Sequence, residues 1–290
     1  MASRRLLIFG YGYAARTLAQ RLQLKGWTVA ATIRRPADRA KLDVEGITPV
    51  PAGDKAALAL AVRDADAVLV TAPPDAAGCP GLRALVPALA LGRALPSWIG
   101  YLSTTGVYGD RHGGWVSEQS ALAAQSLEGA RRVGAERDWL EVGRGMGLTV
   151  TLFRLPGIYG PGRSALDRLR AGEARRITAP GQVFSRIHVD DLAAGLEASI
   201  ARPRAGGVYN LCDDAPCANA EVIAYAAGLL GLPVPPEVPL AEAGLSALAQ
   251  RFYAESKRVS NARAKAELGW RPTYPTYREG LAAILAAERA

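Results

Sequence analysis

The residues with the clearest chemical meaning stand near the start of the chain. Leu6-Leu7-Ile8-Phe9 runs straight into Gly10-Tyr11-Gly12-Tyr13-Ala14-Ala15, and a helical pattern through Leu18 and Leu22 follows. A continuous apolar run reads as a strand buried on both faces. A Gly-rich turn that feeds a helix presents backbone N–H groups at the positive end of the helix dipole, which suits a pyrophosphate. In Gly10-x-Gly12-x-x-Ala15 the first glycine permits the tight turn. The second lets phosphates approach the backbone, and Ala15 lets helix and strand pack closely. A second strand, Trp27–Ile33, ends in Arg34-Arg35. An acidic residue at that point would accept hydrogen bonds from a ribose 2′-hydroxyl. Two guanidiniums instead offer planar donor forks to a 2′-phosphate. The expected cofactor is therefore NADP, with NAD the less favoured form. The alternative is a solvated basic loop, since Arg39 and Lys41 stand close by.

The elements that must position this turn alternate regularly. Ile47–Val50 reads as a third strand, Lys55–Arg63 as a helix, Ala67–Thr71 as a fourth strand ended by Ala72-Pro73-Pro74, and Leu82–Leu95 as a helix. Ser97–Ser103 is a fifth strand and Leu148–Phe153 a sixth, with one long helix from Ser117 to Val142 between them. Ser117 is placed to cap that helix. The series predicts an α/β fold, a doubly wound Rossmann-type parallel sheet. After Arg154 the rhythm changes to Pro/Gly-rich loops and short segments. The expected organisation is a dinucleotide-binding domain over 1–154, to which 189–211 returns. A small C-terminal substrate lobe is expected from 155–188 and 212–290.

Bulk properties narrow the class. Of 290 residues, 49% are hydrophobic and 21% charged, which fits a globular domain. Ser3-Arg4-Arg5 leads into too short an apolar run for a secretory leader, and no window reaches the length of a membrane span. Cys79, Cys212 and Cys217 form no disulfide framework, and His112 and His188 lie far from them, so no metal site is expected. A cytoplasmic protein is the expectation. The net charge of +8 raises nucleic acid as a partner, but the arginines are scattered and no basic–aromatic stripe is present. A small-molecule substrate is expected instead, with neither nucleic acid nor membrane as partner.

Several motifs in order carry a family resemblance: the turn itself, Ser103-Thr104-Thr105-Gly106-Val107-Tyr108-Gly109, Arg154–Gly162, His188-Val189-Asp190-Asp191, Lys257–Asn261, Glu267-Leu268-Gly269-Trp270 and Tyr274–Leu281. Together they resemble the extended short-chain dehydrogenase/reductases, the NAD-dependent epimerase/dehydratase group. The resemblance implies a hydroxyl residue that orients the substrate, a general-acid/base Tyr, and a Lys four residues later. Thr104 falls on the hydroxyl position. Aligning Glu136 to the family's Glu puts Glu128 at the Tyr and Arg132 at the Lys. No Tyr occurs between Tyr108 and Tyr159, so the dyad is missing in any register. The loss matters because a Tyr titrates near pH ~10 and a neighbouring cation brings it toward working pH, whereas a Glu starts at about 4.3.

The expected acid/base set is therefore Thr104, Tyr108, Glu128 and Arg132, each against a plainer reading: strand-end bonding for Thr104, core packing for Tyr108, a solvated helix face for Glu128. The expected cofactor set is Gly10, Gly12, Tyr13, Ala14, Ala15, Arg34, Arg35, Asp54, Ala72, Pro73, Ser103 and Arg132. Leu155, Pro156 and Ile158 join it because the family lines the nicotinamide with this loop. Asp54 serves equally well as a helix N-cap. Arg163 and Arg186 could hold an anionic substrate or lie on the surface. Two functions follow: an NADP-dependent oxidoreductase or epimerase/dehydratase with non-standard acid/base residues, or a non-catalytic NADP(H)-binding sensor or regulator. A monomer or a homodimer fits; small residues at Ala121, Ala123, Ala124, Gly129 and Ala130 permit the helix-to-helix dimer common in the family.

Overall fold

A computed structural model describes residues 3–92 and 95–289, without the side chains of 247–249. It divides into two compact units, 1–104 with 127–154 and 193–209, and 105–126 with 155–192 and 210–290.

The first unit is built on a seven-stranded sheet. Its strands are β1 (Arg5–Phe9), β2 (Thr28–Ile33), β3 (Thr48–Pro51), β4 (Ala67–Val70), β5 (Trp98–Thr104), β6 (Val150–Leu155) and β7 (Gly207–Asn210). Their order is β7-β6-β5-β4-β1-β2-β3. β1 pairs in parallel with β2, Ile8 opposite Ala31, and with β4, Ile8 opposite Leu69. The strand order reverses between β1 and β4, the switch point at which doubly wound sheets bind ligands beyond their carboxyl ends.

Helices α1 (Tyr13–Gln23), α2 (Arg39–Val44), α3 (Lys55–Arg63), α4 (Pro80–Leu91), α5 (Leu127–Met146) and α6 (Val189–Ala201) connect and cover it. On one face Leu7, Phe9, Val68 and Val70 pack with Leu58 and Val62 of α3, Leu85 and Leu89 of α4, and Trp139 of α5. Pleating turns Leu6 and Ile8 to the other side, where both are buried. α1 buries Ala15, Leu18, Ala19 and Leu22, the i, i+3, i+4, i+7 stripe of an amphipathic helix. Its Arg21 pairs with Glu197 of α6 at 2.5 Å.

The second unit has its own core of Tyr159, Leu166, Val222, Ala226, Tyr277, Leu281 and Ile284. Short parallel pairs hold it, among them 157–159 with 186–188 and 115–116 with 258–259. Asp191 accepts the N–H groups of Thr273 and Tyr274 at 2.6 and 2.9 Å, and its carbonyl accepts Trp270 Nε1 at 3.1 Å. These bonds give the His-Val-Asp-Asp and Leu-Gly-Trp motifs a structural purpose.

Three expectations are corrected. The long helix does not start at Ser117: α5 begins at Leu127, and Ser117 sits in a turn, its N–H donating to Ser120 Oγ at 3.0 Å. Ala121, Ala123 and Ala124 therefore lie in a loop, not on a dimerising helix face. Residues 105–126 cluster with the second unit rather than with the sheet. The helix expected over Leu82–Leu95 is Pro80–Leu91; its predicted end includes 93–94, outside the described residues.

Candidate functional site

Gly10 follows β1 with φ +97°. Its N–H donates to Thr32 Oγ1 at 3.0 Å, and its carbonyl accepts the Thr71 hydroxyl. A Cβ here would stand 2.8 Å from Thr71 Oγ1 and 3.0 Å from the Ala72 nitrogen, so both conformation and space demand glycine. Gly12 is different. It is extended (φ −125°, ψ −170°), and a Cβ on it would meet nothing within 4 Å. Its absent side chain leaves open space over the start of α1. That helix carries no side-chain cap and no acidic residue in its first turn. Uncapped N–H groups, a positive dipole end and an open approach are what a pyrophosphate requires. Tyr13 and Ala14 form the first turn, and Ala15 is buried against the sheet. Glu45 braces the turn from below, accepting Tyr11 Oη at 2.6 Å and pairing with Arg16 at 3.0 Å.

Arg34 and Arg35 are exposed at the carboxyl end of β2. Arg35 is engaged by Asp38 at 2.8 Å, whereas Arg34 has no ion pair among the described residues. The two guanidiniums are thus not equivalent: Asp38 engages Arg35 and not Arg34. Asp54 realises the capping alternative, its Oδ1 accepting the N–H groups of Ala56 and Ala57 at 3.0 Å. Ala72 and Pro73 follow β4 beside Gly10, Ala72 half-buried and Pro73 exposed.

At the end of β5 the structure brings together three polar side chains that are far apart in the chain. Arg154 of β6 and Glu136 of α5 form a buried ion pair at 2.7 Å, with second contacts at 3.1 and 3.2 Å. Ser103 Oγ donates to the same carboxylate at 2.5 Å. Ser103, expected at the cofactor, is turned inward and its hydroxyl is committed. Arg154 stands out as a charge in the otherwise apolar run of β6, but Glu136 lies among other charged residues of α5, 18 positions earlier, and nothing local marks it as the partner. Thr104 is half-buried and closes the strand. Arg132 donates to the Leu102 carbonyl and lies 5.7 Å from the Tyr101 ring, so its side chain is bound to the end of β5. Glu128, one helical turn earlier on the same face, is exposed.

In the second unit Tyr108 is fully buried, and its hydroxyl donates to Asn210 Oδ1 at 2.7 Å. Asn210 is itself fixed by the Ser260 carbonyl and Glu118. Tyr108 is therefore a core residue, which corrects its reading as an acid: its proton points into a closed network. Leu155 is buried, Pro156 half-buried, and Ile158 pairs with Ile187. Ile158, Arg163 and Arg186 line one cavity of about 680 Å³. Arg163 is exposed at its rim. Arg186 is only 9% exposed and donates to the Phe184 carbonyl at 3.1 Å and to Cys217 Sγ at 3.0 Å. Nearby Asp213 is 2% exposed, and burial pushes its carboxyl up to about 7 against the opposing pull of Arg186. His188 is buried between the rings of Tyr159 and Tyr274, and desolvation holds its pKa down, keeping the imidazole neutral. No helix among the described residues is long and apolar enough to cross a membrane.

The turn, the switch point and the strand order are those of a doubly wound Rossmann-type α/β fold. The chain is 45% identical to a functionally unknown conserved protein from Silicibacter pomeroyi, with a TM-score of 0.90 over 99% of this chain and 100% of that one. The chain belongs to the family of that protein. Protein YeeZ from Escherichia coli K12 is 28% identical over 94% of this chain and 97% of its own. A structure from Methylobacillus flagellatus, described as that of a candidate NAD-dependent epimerase/dehydratase, is 25% identical over the whole of both chains, TM-score 0.72. DesIV, the dTDP-glucose 4,6-dehydratase of Streptomyces venezuelae solved with NAD and TYD, shares the fold at 21% identity, TM-score 0.79 over 98% and 97% of the two chains. No family model matches the chain.

Proposed function

We propose that the chain is an NAD(P)-dependent oxidoreductase or epimerase/dehydratase-type enzyme that prefers NADP and works without the family's Tyr and Lys. The observation that carries this reading is the turn: a glycine that sterics demand, a second that leaves its approach open, and a helix start that no side chain caps. These features fit a dinucleotide. DesIV, which shares the fold, was solved with NAD.

When bound, a nicotinamide cofactor supplies a ring that accepts or donates hydride. The chain's own residues hold it in place. Gly10, Gly12, Tyr13, Ala14 and Ala15 take the pyrophosphate, and Arg34 takes the 2′-phosphate with Arg35 beside it. Asp54, Ala72 and Pro73 border the adenosine half. Arg132, fixed to the end of β5, holds a ribose or phosphate oxygen in place of the family's Lys. Thr104 orients the substrate oxygen, and Glu128 on the helix face of Arg132 accepts its proton. Arg163 and Arg186 contact the substrate.

Fluorescence titration of the purified protein with NADPH and NADH tests the first half. NADPH should bind at least tenfold more tightly, and failure of both to bind overturns the reading. Hydride transfer across a carbonyl and sugar-nucleotide panel, lost in Thr104→Ala, tests the second half. Dinucleotide binding with no turnover on any member would leave a regulatory role in its place.

A further inference from the structure

The cavity of the second unit carries a more specific message. Arg186 belongs to its wall and is nine-tenths buried. Among the described residues no carboxylate lies within 4.0 Å of its guanidinium; its partners are the Phe184 carbonyl and the carbonyl and sulfur of Cys217. The Tyr277 ring centroid is 6.0 Å away. A buried charge left without a counter-ion is costly, and neutral acceptors offset only part of that cost. Asp213 is close enough for its titration to feel Arg186, yet it makes no ion pair with it. Its Oδ2 is buried without a hydrogen-bond partner among the described residues. Tyr277, in the same wall, is likewise buried with its hydroxyl unpaired. One wall therefore holds a positive charge whose hydrogen-bond partners are all neutral and an O–H donor with no acceptor among the described residues.

The rest of the lining is of another kind. Phe184, Ile177, Val222, Ile223, Leu281 and the Tyr253 ring make most of the interior. The remaining charges, Arg163, Arg168, Asp167 and Glu173, belong to residues less buried than Arg186, and Asp167 is tied to Ser164 in a capping box. A diphosphate sugar brings two negative charges; Arg163 and Arg168, which could meet a second charge, are exposed, and Arg186 is the buried cation of the lining among the described residues. An apolar body with a single carboxylate is matched throughout.

We infer that the cavity binds an organic monocarboxylate with an aromatic or aliphatic body, its carboxylate seated on Arg186. As the identity of the enzyme's substrate this rests on the oxidoreductase reading above; as a binding site it stands apart from it. A volume of about 680 Å³ leaves room for a body of one ring and a short chain.

The test is calorimetric titration of the full chain with 3-phenylpropanoate, cinnamate and octanoate, each beside its primary amide, with UDP-glucose as comparison. At least one acid should bind at least tenfold more tightly than its amide, and UDP-glucose should bind more weakly than that acid. Arg186→Met should bring acid and amide to the same affinity, while Arg186→Lys keeps part of the preference. Equal binding of acid and amide by the unaltered chain overturns the inference without any variant. So does binding of UDP-glucose tighter than every acid, or no binding of any acid. NADPH titration of the same samples separates the two readings. Dinucleotide binding without acid binding sinks the carboxylate site alone, and acid binding without dinucleotide binding sinks the enzyme alone.

Discussion

Glu136 offers the sharpest test of how the first unit is held together. It is 2% exposed and its partner Arg154 is 5% exposed. The carboxylate takes three short contacts from Arg154 and one from Ser103. Glu136→Ala takes from the buried guanidinium of Arg154 the carboxylate that pairs with it, which costs about 3–5 kcal/mol. The Ser103 hydroxyl loses its acceptor as well, worth about 1 kcal/mol. For a chain of this size each kcal/mol lowers Tm by about 2–4 °C, so the expected drop is at least about 8 °C. Thermal melting and urea denaturation measure it. The double variant Glu136→Met with Arg154→Met removes both charges at similar volume and should recover most of the loss, because the cost lies in the orphaned charge. Two results would refute the reasoning: a single variant within about 1 kcal/mol of the parent, or a double variant as unstable as the single.

Four other outcomes are expected. Arg34→Ala should weaken NADPH binding about tenfold or more, the worth of one charge-assisted hydrogen bond, and leave NADH nearly unchanged; Arg35→Ala should do less, since Asp38 already holds that side chain. Equal losses for both dinucleotides in the titration would contradict this. Gly10→Ala should cost at least about 1–2 kcal/mol in a melt from φ +97° alone and should abolish dinucleotide binding. Tyr108→Phe should destabilise the chain by about 1 kcal/mol and leave kcat unaltered, because its hydroxyl serves Asn210; a large fall in kcat without loss of stability would return Tyr108 to the acid role. Asp213 carries a folded-state pKa of about 7, above the ordinary carboxylate value, with Arg186, Asp214, Tyr159, Cys212 and Cys217 as its charged or titratable neighbours. The folded state therefore prefers the protonated form, and this contribution to stability is lost as pH rises toward and through about 7. Asp213→Asn should stabilise the chain at pH 8, by an amount on the order of 1–3 kcal/mol read by urea denaturation, and change its stability little at pH 4.

What could be read from the sequence was whatever a local rule dictates. The Gly10 turn was legible because a positive φ and a close approach to Thr71 and Ala72 leave only glycine. The apolar runs of β1, β4 and β6 were legible because strands buried on both faces have no polar positions to spare. Other features depended on partners distant in the chain. Tyr108 looked like a hydroxyl near a site, and only Asn210, 102 residues on, makes it a core residue. The stretch 121–124 has good helix formers but stays a loop. Ala123 donates its N–H to the Val107 carbonyl at 3.0 Å, and its own carbonyl sits where a Cβ on Gly109 would be. Tertiary bonds there override propensity. Arg34 and Arg35 were equivalent as letters; Asp38, three residues on, separates them.

The two units also differ in how much of their chemistry a shared fold can transmit. The dinucleotide turn works through backbone: N–H groups, a helix end and two glycines whose role is to be absent. Such a site survives wide sequence divergence, so DesIV can share this architecture at 21% identity. The cavity of the second unit works through side chains, and one substitution at Arg186 would change its ligand class. A fold shared with a dTDP-glucose dehydratase at 21% identity therefore says little about what the second unit selects. The buried guanidinium with only neutral hydrogen-bond partners is stronger evidence on that second question than the resemblance. A buried charge must be satisfied in every protein, whereas a scaffold is free to host many substrates.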